Sequence, residues 1–169
     1  RLEFSDKPWH SKEETSKYTM LQKSGKAIRY FWVNEVNSVI TSPCPEKPWT
    51  DLKKGEMVEI EGLAWSGHGT IKGVDISFDG GDNWVEAKLK GLVLPKSWTR
   101  FSYIIKWDGK PMILASRSYD DFGNIQPTID EETSAVGVES VYHRNAIVTW
   151  EITSKGECNN VQIRKHKKA

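Results

Sequence analysis

Apolar and polar residues alternate with a period of two along most of this chain. Within residues 57–65, Val58 and Ile60 fall on one side of an extended segment, while Glu59 and Glu61 fall on the other. This alternation is typical of a half-buried β-strand. Similar short apolar runs predict strands at 28–33, 38–40, 71–78, 85–89, 101–107, 112–117 and 146–152. Short strands separated by turns, with almost no helical period, predict an all-β fold built as an antiparallel β-sandwich.

The segment 71–84 contains the clearest hairpin signal. Val74 and Ile76 should face the core, and Asp75 and Ser77 should face solvent. An Asp-Gly-Gly turn follows at once and returns the chain toward a tryptophan. Such turn chemistry between two alternating runs is typical of a β-hairpin.

Changes in composition divide the chain into three parts. Residues 1–27 are polar and form an arm that is irregular or helical, since SKEE at 11–14 has the spacing of a capping box. We expect the sandwich to occupy residues 28–155 and a basic tail to occupy 156–169. Within the sandwich, residues 120–144 interrupt the strand rhythm, and connections of this length are often functional.

Composition narrows the possible partners of the chain. The 169 residues include 24 Lys and Arg against 23 Asp and Glu, so the net charge is +1. A charge this small gives no general attraction to nucleic acid or to anionic lipid. No apolar run approaches the ~20 residues of a membrane-spanning helix, and the N-terminus lacks a signal-peptide pattern. The first residue is Arg1, so we expect the chain to be a fragment of a longer protein.

Two cysteines, Cys44 and Cys158, are too few to form a disulfide framework. One disulfide and two free thiols are both compatible with the sequence. Neither cysteine has histidine or cysteine neighbours at metal-ligand spacing, so no metal site is expected in the chain.

Three separated motifs together carry a family resemblance. They are GLAWSGHGT at 62–70 with VDISFDGGDNW at 74–84, DDFGNIQP at 120–127, and YHR at 142–144. In this order they resemble the C-terminal dimerisation domain of sulfite oxidase-type molybdenum-cofactor oxidoreductases. Further segments at 7–18, 39–43 and 138–145 are similar to the molybdenum subunits of sulfane dehydrogenases of bacterial sulfur oxidation, with sulfite dehydrogenases as the near alternative.

The resemblance implies an immunoglobulin-like sandwich that joins two subunits into a homodimer. It implies that a separate N-terminal domain of the parent enzyme holds molybdopterin, so the fragment itself has no catalytic residue and binds no cofactor. Cys44 lies in the wrong part of the protein to be the molybdenum ligand. The parent enzyme would be periplasmic, would act on sulfite or a carrier-bound sulfane, and would pass electrons to a c-type cytochrome.

The YHR motif supplies the candidate substrate-binding residues. In family members the matching arginine reaches toward the anionic substrate pocket, so the resemblance assigns this role to Arg144, with His143 and Tyr142 beside it. A guanidinium group stays charged and presents a planar fork that fits oxyanions. The structural alternative is that Arg144 pairs with Asp120 or Asp121 and locks the long loop. His143 is either a proton-transfer group or a structural histidine bonded to backbone.

Other polar motifs have simpler interpretations. Asp120 and Asp121 offer too few oxygen ligands in register for calcium and are interpreted as turn residues, with Gly123 at positive φ.

The tryptophans leave a second function open. Those near strands should pack, whereas Trp9, Trp49 and Trp98 lie near proline or turns and suit an interface. The alternative function is therefore a free-standing immunoglobulin-like binding module that uses exposed tryptophans for glycan or protein adhesion.

Overall fold

The computed structural model describes residues 2–7, 9, 11–13, 18–21, 24, 26–137 and 143–163. In chain order the elements are β1 (Thr19–Leu21), β2 (Ala27–Tyr30), β3 (Asn37–Ser42), β4 (Met57–Trp65), β5 (Ile71–Ser77), β6 (Val85–Glu86), β7 (Lys88–Lys90), β8 (Thr99–Lys106), β9 (Met112–Asp120), α1 (Ile129–Val136), β10 (Thr149–Ile152) and β11 (Cys158–Val161). Within the described parts of the chain, no helix is both long enough and apolar enough to cross a membrane.

Two antiparallel sheets form the sandwich. One has the strand order β3-β4-β8-β7 and the other has the order β11-β10-β9-β5-β6, while β1 and β2 form a separate two-stranded pair. This arrangement confirms the predicted all-β, immunoglobulin-like sandwich, to which the eight-residue helix α1, about two turns long, adds little. The sheet also continues through β11, beyond residue 155 where the sequence placed the start of the tail.

The core lies between the two sheets. Ile60 and Phe101 reach it from the four-stranded sheet, and Ile76 and Leu114 reach it from the five-stranded sheet, all four with no exposed surface. Burying a side chain of this size stabilises a fold by roughly 1.5–3 kcal/mol. Gly62 is required beside Phe101, because a Cβ atom at residue 62 would overlap the aromatic ring and the carbonyl oxygen of Val39.

The alternation predicted for β4 is confirmed: Ile60, Gly62 and Ala64 are buried, while Glu59 and Glu61 are exposed. The prediction for Ser77 is wrong. Its side chain is fully buried because the following turn folds back over it. The Ser77 hydroxyl donates to the Asp79 carboxylate at 2.7 Å and accepts from the backbone N–H of Gly81 at 2.7 Å.

Trp49 is also buried, contrary to its suggested place at an interface. Its ring packs against that of Trp107, with 5.9 Å between centroids. By contrast, Trp9 and Trp98 are both 72% exposed.

Cys44 and Cys158 are free thiols. Burial is the main reason why the pKa of the Cys158 thiol is raised to about 11.

Candidate functional site

One end of the sandwich collects the loops that carry the candidate residues. Antiparallel pairing brings the start of β3 beside the end of β4, and the start of β5 beside the end of β9. We call this region the loop end and define it as residues 31–36, 66–70, 91–98, 120–128 and 143–148. Three buried polar side chains, Asp120, Gln126 and Glu132, hold these loops together.

Asp120 fixes the first group of loops. Its carboxylate accepts hydrogen bonds from the Ser66 hydroxyl at 2.7 Å, from the Phe122 backbone N–H at 3.0 Å and from the Asn124 backbone N–H at 2.9 Å. Burial alone would raise the pKa of Asp120, but the hydrogen bonds from Asn124, Ser66 and Phe122 outweigh it and lower the pKa below its usual value. Gly123 adopts a φ of +83°, as the turn prediction requires.

Gln126 connects the two sheets at the same end. Its side-chain oxygen accepts from the Ser38 hydroxyl at 2.6 Å and from the Ser118 backbone N–H at 3.2 Å. Its amide N–H groups donate to the Asn37 side chain at 2.9 Å and to the Ser38 carbonyl at 3.2 Å. Both functional groups of a fully buried amide are therefore satisfied, which makes this connection stabilising rather than costly.

Glu132 lies on α1 and anchors the segment that contains Arg144. One carboxylate oxygen, Oε1, accepts from the backbone N–H groups of Asn145 at 2.7 Å and Ala146 at 3.2 Å. The other oxygen, Oε2, accepts from Nη1 of Arg144 at 2.9 Å. The Glu132 side chain is only 3% exposed, whereas that of Arg144 is 32% exposed.

The structure therefore gives Arg144 an acidic partner, but a different one from either aspartate considered in the sequence. Asp120 is occupied by its own turn, and Asp121 accepts from the backbone N–H of Thr70 at 2.9 Å. A groove of about 420 Å³ opens beside the Arg144–Glu132 pair and is also lined by Asn37.

His143 packs against the loop before β3. Its ring lies 5.1 Å from that of Phe31, and its Nε2 atom accepts a long 3.4 Å hydrogen bond from the backbone N–H of Glu35. This contact is the kind expected of a structural histidine bonded to backbone. Tyr142, the third candidate, lies outside the described residues.

The loop end also contains a histidine–glutamate pair that the sequence pattern does not predict. His68 Nε2 lies 3.0 Å from the Glu35 carboxylate, and the backbone N–H of His68 donates to the Ser66 hydroxyl at 3.1 Å. The pair joins residues 33 positions apart, so no local sequence spacing could have revealed it.

Exposed apolar side chains surround these polar residues. Trp32, Phe122 and Ile125 are 57%, 71% and 61% exposed. Apolar groups displayed on well-braced loops are typical of a surface that another protein segment covers. In the described part of the chain, no three His, Cys, Asp or Glu side chains are grouped so that they could hold a metal ion.

Comparisons with known proteins agree with this architecture. Residues 29–150 match the model of the Mo-co oxidoreductase dimerisation domain. The chain is 34% identical over 99 residues to mitochondrial sulfite oxidase of Rattus norvegicus, covering 54% of this chain and 17% of that protein. It is 31% identical over 98 residues to sulfite oxidase of Gallus gallus, covering 54% of this chain and 20% of that protein.

A solved structure extends the comparison to most of the chain. The sulfane dehydrogenase SoxCD from Paracoccus pantotrophus is 47% identical in sequence and superposes with a TM-score of 0.86. The match covers 91% of this chain and 39% of that one, so the chain spans well under half the length of the proteins it resembles. By its fold and by the match over residues 29–150, the chain belongs to the Mo-co oxidoreductase dimerisation domain family.

Proposed function

We propose that the chain is the dimerisation domain of a molybdenum-dependent enzyme that oxidises sulfite or a carrier-bound sulfane. The observation that carries this proposal is the 47% identity to a sulfane dehydrogenase over 91% of the chain. In this proposal the enzyme is a periplasmic homodimer and passes its electrons to a c-type cytochrome. The family membership makes the alternative of a free-standing adhesion module the weaker hypothesis.

The described residues do not themselves fit as ligands of the molybdenum cofactor. Cys158 is only 6% exposed and packs in the core between the sheets, so its sulfur is not open to a cofactor. Cys44 follows β3 and Cys158 begins β11, so both lie at the opposite end of the sandwich from the loop end. In the proposed enzyme a separate domain would hold the cofactor.

In the proposed enzyme, Arg144 contributes to the anionic substrate pocket, with His143 and Tyr142 beside it. The half-buried guanidinium and the groove next to it support this role. Because the charge of Arg144 is already balanced by Glu132, its contribution would come from directed N–H donors more than from net positive charge. Fixed donors hold an oxyanion in the orientation that reaction requires.

Substitution of Arg144 in the intact enzyme tests this role. Loss of hydrogen bonds from a charged donor costs about 1.5–3 kcal/mol, so R144A should raise KM for the sulfur anion roughly 10- to 100-fold. The matched control is R100A, since Arg100 is exposed on β8 and should leave KM unchanged. If an R144A enzyme that retains its molybdenum and its dimeric state has wild-type kinetics, Arg144 does not contribute to the substrate pocket.

The assembly role is tested separately by sedimentation of the intact enzyme. We expect a dimer across the micromolar concentration range. A strict monomer with full molybdenum content would contradict the proposed assembly without bearing on Arg144.

A further inference from the structure

We propose that Glu132 is the positioning residue for Arg144, a role that rests on the proposed function of that arginine. The helix that carries Glu132 is held at its first turn by a reciprocal capping box. The Thr128 side chain accepts from the Glu131 backbone N–H, and the Glu131 carboxylate accepts from the Thr128 backbone N–H. This cap fixes the first turn of α1. It therefore also fixes the position of Glu132, which directly follows Glu131.

Both oxygens of Glu132 are used, and they serve different purposes. Oε1 accepts two backbone N–H groups and so fixes the chain immediately after Arg144. Oε2 accepts Nη1 of Arg144 and so fixes the guanidinium itself. One buried carboxylate therefore sets both the backbone and the tip of the same arginine. A second contact supports the backbone, because the Asn37 side chain donates to the Arg144 carbonyl at 3.4 Å.

This ion pair is better suited to orient the Arg144 guanidinium than to attract an anionic substrate. A buried carboxylate beside the guanidinium cancels its charge and repels an approaching anion. An arginine selected only for charge would do better without this partner. The ion pair is instead suited to hold the planar group, which lines the groove, in one orientation.

Replacement by glutamine separates these effects because a glutamine amide has only one acceptor oxygen. In E132Q the two backbone N–H groups should retain that oxygen, which turns the amide NH₂ toward Arg144. Two donors then face each other, and the guanidinium must leave its position. We expect KM for the sulfur anion to rise about tenfold in the intact enzyme, with a smaller change in kcat.

The decisive measurement is a double-mutant cycle with R144A, using kcat/KM for sulfite as substrate. If Glu132 acts through Arg144, then E132Q in the R144A background should cause less than a twofold further loss. The matched control is D130N, which removes one carboxylate from the same helix and should leave KM unchanged. An E132Q effect that multiplies with that of R144A would overturn the positioning role.

Different outcomes overturn the positioning role of Glu132 and the substrate role of Arg144. If R144A itself has no kinetic effect, the substrate role of Arg144 fails, and the positioning role fails with it. If R144A is impaired while E132Q has wild-type KM, only the positioning role is overturned. Should E132Q not fold, E132D serves instead, because it keeps two acceptor oxygens. It should show a weaker rise in KM that again disappears in the R144A background.

Discussion

Replacing Asp120 with asparagine should destabilise the domain and leave its secondary structure intact. Asp120 is 2% exposed, and its carboxylate accepts from Ser66, from two backbone N–H groups and from the Asn124 side chain. In D120N the single oxygen can keep the two backbone donors. The new NH₂ group then faces the Asn124 side-chain N–H, which is also a donor, so at least one hydrogen bond is lost.

The magnitude follows from these contacts. Hydrogen bonds to a charged acceptor contribute about 1.5–3 kcal/mol, against about 0.5–1.5 kcal/mol for neutral pairs. One lost bond, together with the weakening of those that remain, gives a loss of about 2–4 kcal/mol in the free energy of unfolding. With a urea slope of about 2 kcal/mol per molar, the unfolding midpoint should fall by roughly 1–2 M.

The dependence on pH provides an independent check. Asp120 has a lowered pKa in the folded state, so its stabilising contribution is complete near neutral pH and is lost as pH falls below the usual aspartate pKa of about 4. The difference in stability between wild type and D120N should therefore shrink between pH 7 and pH 3. Urea titrations at several pH values measure this, with the exposed Asp51→Asn as control. A loss below about 0.5 kcal/mol at pH 7 would refute the assigned role of Asp120, since that is the range of ordinary surface substitutions.

Three other predictions concern packing and thiol reactivity. Gly62→Ala should destabilise the domain by about 1–3 kcal/mol or more in thermal unfolding, because the new Cβ overlaps Phe101 and the Val39 carbonyl. The control is Gly91→Ala, since a Cβ at residue 91 meets only open space and the φ of +74° alone should cost about 1 kcal/mol in the free energy of unfolding. Equal losses of stability in the two variants would contradict the predicted overlap at Gly62. Phe101→Ala should cost about 3–5 kcal/mol, measured by urea unfolding, and a loss under 1 kcal/mol would mean that the ring is not a core residue. When the native protein is alkylated and analysed by mass spectrometry, the half-buried Cys44 should react before Cys158, because burial raises the pKa of the Cys158 thiol to about 11. Equal rates of alkylation would show that Cys158 is accessible.

The sequence predicts the strands well because their pattern is local. The run 57–65 coincides with β4, and the run 71–78 ends one residue beyond β5. The sequence does not predict helix α1, because its eight residues carry a weak apolar face and bury a glutamate. A signal was present, since Thr128 and Glu131 have capping-box spacing.

The site was harder to predict because its contacts are not local. Family resemblance points to Arg144, but its partner Glu132 lies on the helix that the sequence does not predict. Gln126 and Ser38 are 88 positions apart, and the His68–Glu35 pair joins two different loops. Burial and pairing of such residues follow from the tertiary fold, and no single segment of sequence carries that information.

The three buried polar residues that brace the loop end all come from one stretch, 120–132. Their partners lie on β3, on the bend between β4 and β5, and on the segment before β10. Loss of this stretch would therefore release several loops together, so amide hydrogens across the loop end should become accessible in one concerted opening event. Opening of single loops should therefore be rare on the side of the sandwich where the candidate residues lie.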